Sequence, residues 1–62
     1  MYVSRQIETL FQCDEVIRFM EDEGHEFETV EDQGDLFVVS GDLTMGEASE
    51  AAFLLGEALK KL

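Results

Sequence analysis

The chain has 62 residues, with fifteen Asp and Glu against four Lys and Arg, and a formal net charge of −11. That length allows one domain (residues 1–62) with a marginal core, since a domain of this size buries only about 60% of the surface its unfolded chain exposes. The charge excludes nucleic acid and anionic membranes as direct partners and favours a basic protein surface, towards which it would steer association.

A hydrophobic fraction of 45% and the absence of proline are those of a folded domain, not of an acidic tail. Cys13, the single cysteine, cannot form an intrachain disulfide and reads as a small core residue. No apolar run approaches the ~18–20 residues that span a membrane, and no signal peptide is visible, so a cytoplasmic protein is expected.

Residues 1–12 carry two patterns. Val3, Ile7, Leu10 and Phe11 recur at helical spacing, and the reading favours a helix from near Ser4. The alternative is a short strand, with Val3, Arg5, Ile7, Thr9 and Phe11 on one face, followed by a helix from about Thr9 or Cys13. Thr9 and Gln12 fit a capping box for that second start. From Cys13 to Glu23 the stripe Cys13, Val16, Ile17 and Met20, widened by Phe19, predicts a helix that Gly24 ends. Glu21, Asp22 and Glu23 crowd its last turn, the electrostatically unfavourable end for acids.

Residues 26–40 read as a β-hairpin. A three-residue loop Asp32-Gln33-Gly34 would oppose Glu31 to Asp35, Thr29 to Phe37 and Phe27 to Val39. It is preferred over a two-residue loop at Gln33-Gly34, which pairs Glu28 with Val39, because it collects the aromatics on one face. Leu36 and Val38 would then share the other face with Val30 and Glu28, and that face would need its own cover. Ser40-Gly41-Asp42 is a turn, and Thr44 with Glu47 forms a capping box that starts the last helix. Met45, Ala48, Ala52, Leu55, Leu59 and Leu62 make a heptad-like seam for packing or for a homodimer. Phe53 and Leu54 lie off that seam and could cover a sheet face. The expected fold is α+β: helix, β-hairpin, helix (α-β-β-α), with both helices on the sheet and an extra N-terminal strand as the alternative.

No motif carries catalysis. Ser4, Ser40 and Ser49 lack a nucleophile pattern, no Gly-rich phosphate loop is present, and a chain this short has little room for a pocket of ~300 Å³. His25 among Glu23, Glu26 and Glu28 is a weak metal set, and Glu31-Asp32-Gln33-Gly34-Asp35 does not match a calcium loop. The expectation is a non-enzyme with no catalytic residues, no metal and no cofactor.

Eight of the fifteen residues from Glu21 to Asp35 are acidic: Glu21, Asp22, Glu23, Glu26, Glu28, Glu31, Asp32 and Asp35. They are the candidate partner-binding residues, since carboxylates alternating along a strand project together and can imitate phosphates. In size and charge the chain resembles phage and bacterial inhibitors of nucleic-acid-processing machinery, including anti-restriction and anti-CRISPR proteins; the similarity is one of composition. It implies an inhibitor that blocks a nucleic-acid-binding surface of a protein partner; a homodimer is expected separately, from the apolar seam of the last helix. The competing expectation is a small accessory or assembly subunit that docks through its apolar helix and sheet faces, with the charge serving solubility.

Overall fold

In the computed structural model, which describes all 62 residues, the N-terminal stretch is a strand. The order is β1 (Val3–Ile7), α1 (Leu10–Asp22), β2 (Glu28–Asp32), β3 (Asp35–Ser40) and α2 (Met45–Lys60). The fold is therefore α+β, in the order β-α-β-β-α. The preferred helix from Ser4 is corrected to the alternative. Strand β3 is apolar at four consecutive positions, Leu36 to Val39, so it takes the centre of the sheet. Its second edge needs backbone partners, and β1 supplies them. The strands order β1-β3-β2, with both pairings antiparallel. Beyond the strand, the Leu43 N–H still donates to the Met1 carbonyl at 3.0 Å.

Thr9 caps α1. Its hydroxyl accepts the Gln12 N–H at 3.1 Å, and its carbonyl accepts the Cys13 N–H at 3.0 Å. At the other end the Gly24 N–H donates to Glu21 O and the His25 N–H to Met20 O. These two bonds, with Gly24 at φ 85°, form a Schellman stop, which needs a left-handed residue there. Helix α1 buries Cys13, Val16 and Met20. Leu10 and Phe11, counted with Val3 and Ile7 in the helical pattern, stand 62% and 71% exposed at its start.

The hairpin register is the second correction. Asp32 pairs with Asp35 and Glu28 with Val39, so the loop is the two-residue Gln33-Gly34. Both take positive φ, 53° and 87°, as in the mirror-image turns whose twist matches paired strands. Alternation then puts Leu36 and Val38 on one face with Thr29, Phe27 and Ile7, and Phe37 and Val39 on the other with Val30, Glu28, Ser4 and Gln6. Collecting the aromatics fails as a criterion because Phe27 and Phe37 lie on opposite faces.

Both helices pack on the Val38 face. One cluster joins Ile7, Phe27 and Val38 to Cys13, Val16 and Met20 of α1 and to Ala51, Leu55 and Ala58 of α2. Phe37, Val39 and Val30 lie outside it, and no helix covers their face. Helix α2 begins with the expected capping box: Thr44 Oγ1 accepts the Glu47 N–H at 3.2 Å, and Glu47 Oε1 accepts the Thr44 N–H at 2.8 Å. Its buried stripe is Ala48, Ala51, Leu55 and Ala58, whose three small residues let the neighbouring elements approach. Within the heptad seam, Ala48 and Leu55 are buried and Leu59 half-buried, while Met45, Ala52 and Leu62 are exposed. Leu54 packs against the core, whereas Phe53 points away from it, 66% exposed. No helix is long and apolar enough to cross a membrane.

Candidate acidic binding site

The eight candidate carboxylates are all exposed, and none is in an ion pair. The ion pairs of the chain are Glu15 with Arg18, Glu57 with Lys60, and His25 with Glu50. Cations are absent from the whole region: residues 19–59 contain twelve acids and no Lys or Arg. The four cations sit on β1, in the middle of α1 and at the end of α2. One of them, Lys61, is occupied over the Phe19 ring at 4.7 Å from its centroid.

The fold arranges the eight as a band with two ends. Glu21, Asp22 and Glu23 close α1 and lead through Glu26 to Glu28 at the start of edge strand β2. Glu31, Asp32 and Asp35 surround the hairpin turn at the other end of that strand. Four residue steps lead from Glu28 to Asp32, roughly 13 Å at ~3.3 Å per residue. Glu28 and Asp32 share the uncovered face, with Val30 between them, while Glu31 lies on the helix side. The carboxylate ladder along β2 is therefore interrupted at its centre by an apolar side chain.

At the Glu28 end the chain forms a groove of about 640 Å³ between the segment entering β2 and the turn leaving β3. Against the expectation of little room for a pocket of ~300 Å³, this open groove exceeds that volume. Tyr2, Phe27, Val30, Val39 and Leu43 supply its apolar surface, and Glu26, Glu28, Asp42 and Glu47 its acidic side chains. The Tyr2 ring lies along Gly41, close enough that a Cβ there would meet it at 3.6 Å. Only Glu26 and Glu28 of the eight candidates line the groove. Asp42 and Tyr2 went unnoticed because both arrive from distant segments. The Gln33-Gly34 register, continued past the strand ends, finds Asp42 by setting residues 41 and 42 against 26 and 25; Tyr2 follows from the β1–β3 register, which continued sets it against Gly41.

His25 also lines the groove, but it is committed. Its Nε2 lies 2.9 Å from Glu50 Oε1, with only 10% of the side chain exposed, and the contact ties the α1–β2 connection to α2. Glu47 is committed as well. The Thr44 backbone N–H, then its hydroxyl, hold the Glu47 carboxyl below the usual glutamate range. No group of three or more His, Cys, Asp or Glu side chains is arranged to hold a metal ion, and Cys13 is buried. Compared with protein-family models, with curated proteins and with solved structures, the chain finds no match in any of the three.

Proposed function

We propose that this chain is a non-enzymatic binding protein whose acidic band along β2 engages a basic surface of a protein partner. In its concrete form it is a cytoplasmic inhibitor, of the anti-CRISPR or nucleic-acid-mimic kind, that occupies a groove built for phosphates. The observation that carries this reading is the set of eight exposed carboxylates without a single cation among them. Alternate residues of a strand stand ~6.6–6.8 Å apart, close to two ~3.4 Å rises of one nucleic-acid strand. Within β2, Glu28 and Asp32 stand two such spacings apart with Val30 between them, and Glu26 lies just ahead of the strand.

The test compares the wild-type chain, immobilised, with a variant carrying Glu26→Gln, Glu28→Gln, Glu31→Gln and Asp32→Asn. These four changes take the net charge from −11 to −7. The wild type is expected to capture basic proteins at low salt and release them as salt rises; the variant, folded by circular dichroism, should not retain them. Equal retention by both at low salt would refute the reading.

A second reading rests on a different observation, the apolar surface left without full cover: Val30 and half-buried Phe37 on the sheet, and Met45, Ala52 and Phe53 on the outer face of α2. An accessory subunit would dock through these faces, and its binding would barely change with salt. Self-association belongs here too. The outer face of α2 carries no acid at Met45, Ser49, Ala52, Phe53 or Gly56, so two copies can meet there with least repulsion. Light scattering tests this, with a dimer expected to be favoured by salt and lost on Phe53→Glu.

A further inference from the structure

We infer that the groove at the Glu28 end of the sheet receives an amphipathic basic segment, one in which an aromatic or aliphatic residue lies between arginines or lysines. The inference rests on the proposed function and specifies what the partner must present. A surface that only imitates phosphates needs carboxylates and nothing else. This groove has an apolar floor as well, and the floor and its acids come from three separate parts of the chain: Tyr2; Glu26, Glu28 and Val30; and Val39 with Asp42.

The floor is graded. Val39 is 7% exposed, Val30 38% and Tyr2 67%, so an entering side chain meets a nearly buried base and two accessible walls. Tyr2 and Val30 are spare in the monomer, since neither belongs to the core cluster or packs against it. Carboxylates stand above them. Glu26, Glu28 and Asp42 are exposed and unpaired, and Asp42 is held at φ 58° by the turn that leaves β3.

Charge complementarity selects the occupant. A second copy of this chain would bring like charge to the acids, and an acidic or neutral peptide would leave them desolvated without partners. A lone cation would leave the apolar floor unused. An Arg-apolar-Arg segment uses both: the apolar side chain lies over Val39, and the guanidinium groups reach the carboxylates and the face of Tyr2.

The experiment uses the full chain and two synthetic peptides of equal length and charge. One interleaves Arg with Phe and Leu, the other Arg with Ser and Gly, and binding is followed by fluorescence anisotropy at low and high salt. Both peptides are expected to bind at low salt. At high salt the Phe/Leu peptide should remain at least about tenfold tighter. Joint replacement Tyr2→Ser and Val30→Ser should remove that advantage and leave the salt dependence unchanged. Glu28→Gln with Asp42→Asn should weaken both peptides alike and flatten their salt dependence; Asn tolerates the left-handed backbone at residue 42. Circular dichroism checks that each variant is folded. Equal affinity for the two peptides, or an advantage that survives Tyr2→Ser and Val30→Ser, overturns the groove assignment while leaving the acidic-surface reading intact. Failure of both peptides to bind at low salt overturns both.

Discussion

Replacing Gly34 with Ala tests the turn that decides which residues face the groove. Gly34 holds φ 87°, a conformation that costs an L-residue with a Cβ about 1–2 kcal/mol. A Cβ at Gly34 would meet nothing within 4 Å, so the whole cost is backbone strain and none of it is a clash. For 62 residues at ~0.05–0.15 kcal/mol each, total stability is about 3–9 kcal/mol, and the substitution removes a sizeable part of it. At ~4–8 °C per kcal/mol for a small domain, the thermal midpoint should fall by about 4–16 °C.

Slipping to the three-residue loop Asp32-Gln33-Gly34 would not relieve the strain, because its third residue is left-handed too, and it would turn β2 over. Phe27, now 7% exposed, would leave the core and lose about 1.5–3 kcal/mol of burial. Glu28 would turn towards the helices, where an unpaired carboxylate is strongly disfavoured. The slip costs burial and relieves nothing at position 34, so the variant should keep its register and simply be less stable. Gln33→Asn is expected to act in the opposite sense, because Asn accepts the φ of 53° at that position more readily. Thermal unfolding by far-ultraviolet circular dichroism measures both changes. Cross-strand nuclear Overhauser effects between Thr29 and Val38, which are paired, report the register. An unchanged midpoint in Gly34→Ala, or loss of the Thr29–Val38 contacts, would refute the reasoning.

Four further substitutions have expected outcomes. Asp32 and Asp35 sit directly opposite each other, and like charges so placed are destabilising, so Asp35→Asn should raise stability by roughly 0.2–1 kcal/mol, measured by urea titration. Thr44→Ala removes the hydroxyl half of the α2 cap and should cost about 1 kcal/mol, seen as a lower thermal midpoint. Glu47, the other half, has its pKa lowered in the folded state. Its contribution is thus complete above the ordinary glutamate pKa and is lost as pH falls through the lowered folded value; Glu47→Gln should remove that part of the acid-side decline in stability. Leu55, 2% exposed at the centre of the core, should cost about 2–5 kcal/mol when replaced by Ala, read by urea titration as a clearly lower midpoint.

What the sequence made legible were the features written in local chemistry. Thr44 and Glu47 announce the α2 start and Gly24 the α1 stop, and both stand where residue type requires them; Gly34 marks the hairpin turn, but its residue type did not decide between a two- and a three-residue loop. Features that depend on a non-local partner were less legible. Val3 and Ile7 satisfy helix and strand spacing alike, and the choice falls to the strand only because β3 has a second edge to pair. Leu36 to Val39 are apolar on both faces, so alternation within β3 cannot say which face is inside. That is settled by Phe27 and Ile7, through the register. The seam on α2 was misplaced for a related reason: Ala51 and Ala58 are buried because α1 and β1 come close, and small size alone did not distinguish them from exposed Ala52. In the candidate site the carboxylates were visible as a run, whereas the groove was not, since Tyr2 and Asp42 join it only through pairing across the sheet.

The placement of the charge bears on whether it serves solubility or binding. Solubility depends on net charge and is indifferent to where the charge sits. Here five of the eight acids of the band fall at places where they oppose the fold. Glu21, Asp22 and Glu23 lie at the negative end of α1, with no base in its last turn. Asp32 and Asp35 face each other across the turn. Both unfavourable placements lie on the band beside β2. The opposite edge, β1, carries Arg5 and no acid. A chain selected only to remain dissolved could have put the same number of carboxylates on β1 or early in its helices at lower cost. Concentrating them where they repel one another makes sense if a cationic partner relieves that repulsion on binding. The amide variants then acquire a second signature: removing the charges should stabilise the free protein while it weakens the complex, a combination that a merely solubilising surface would not give.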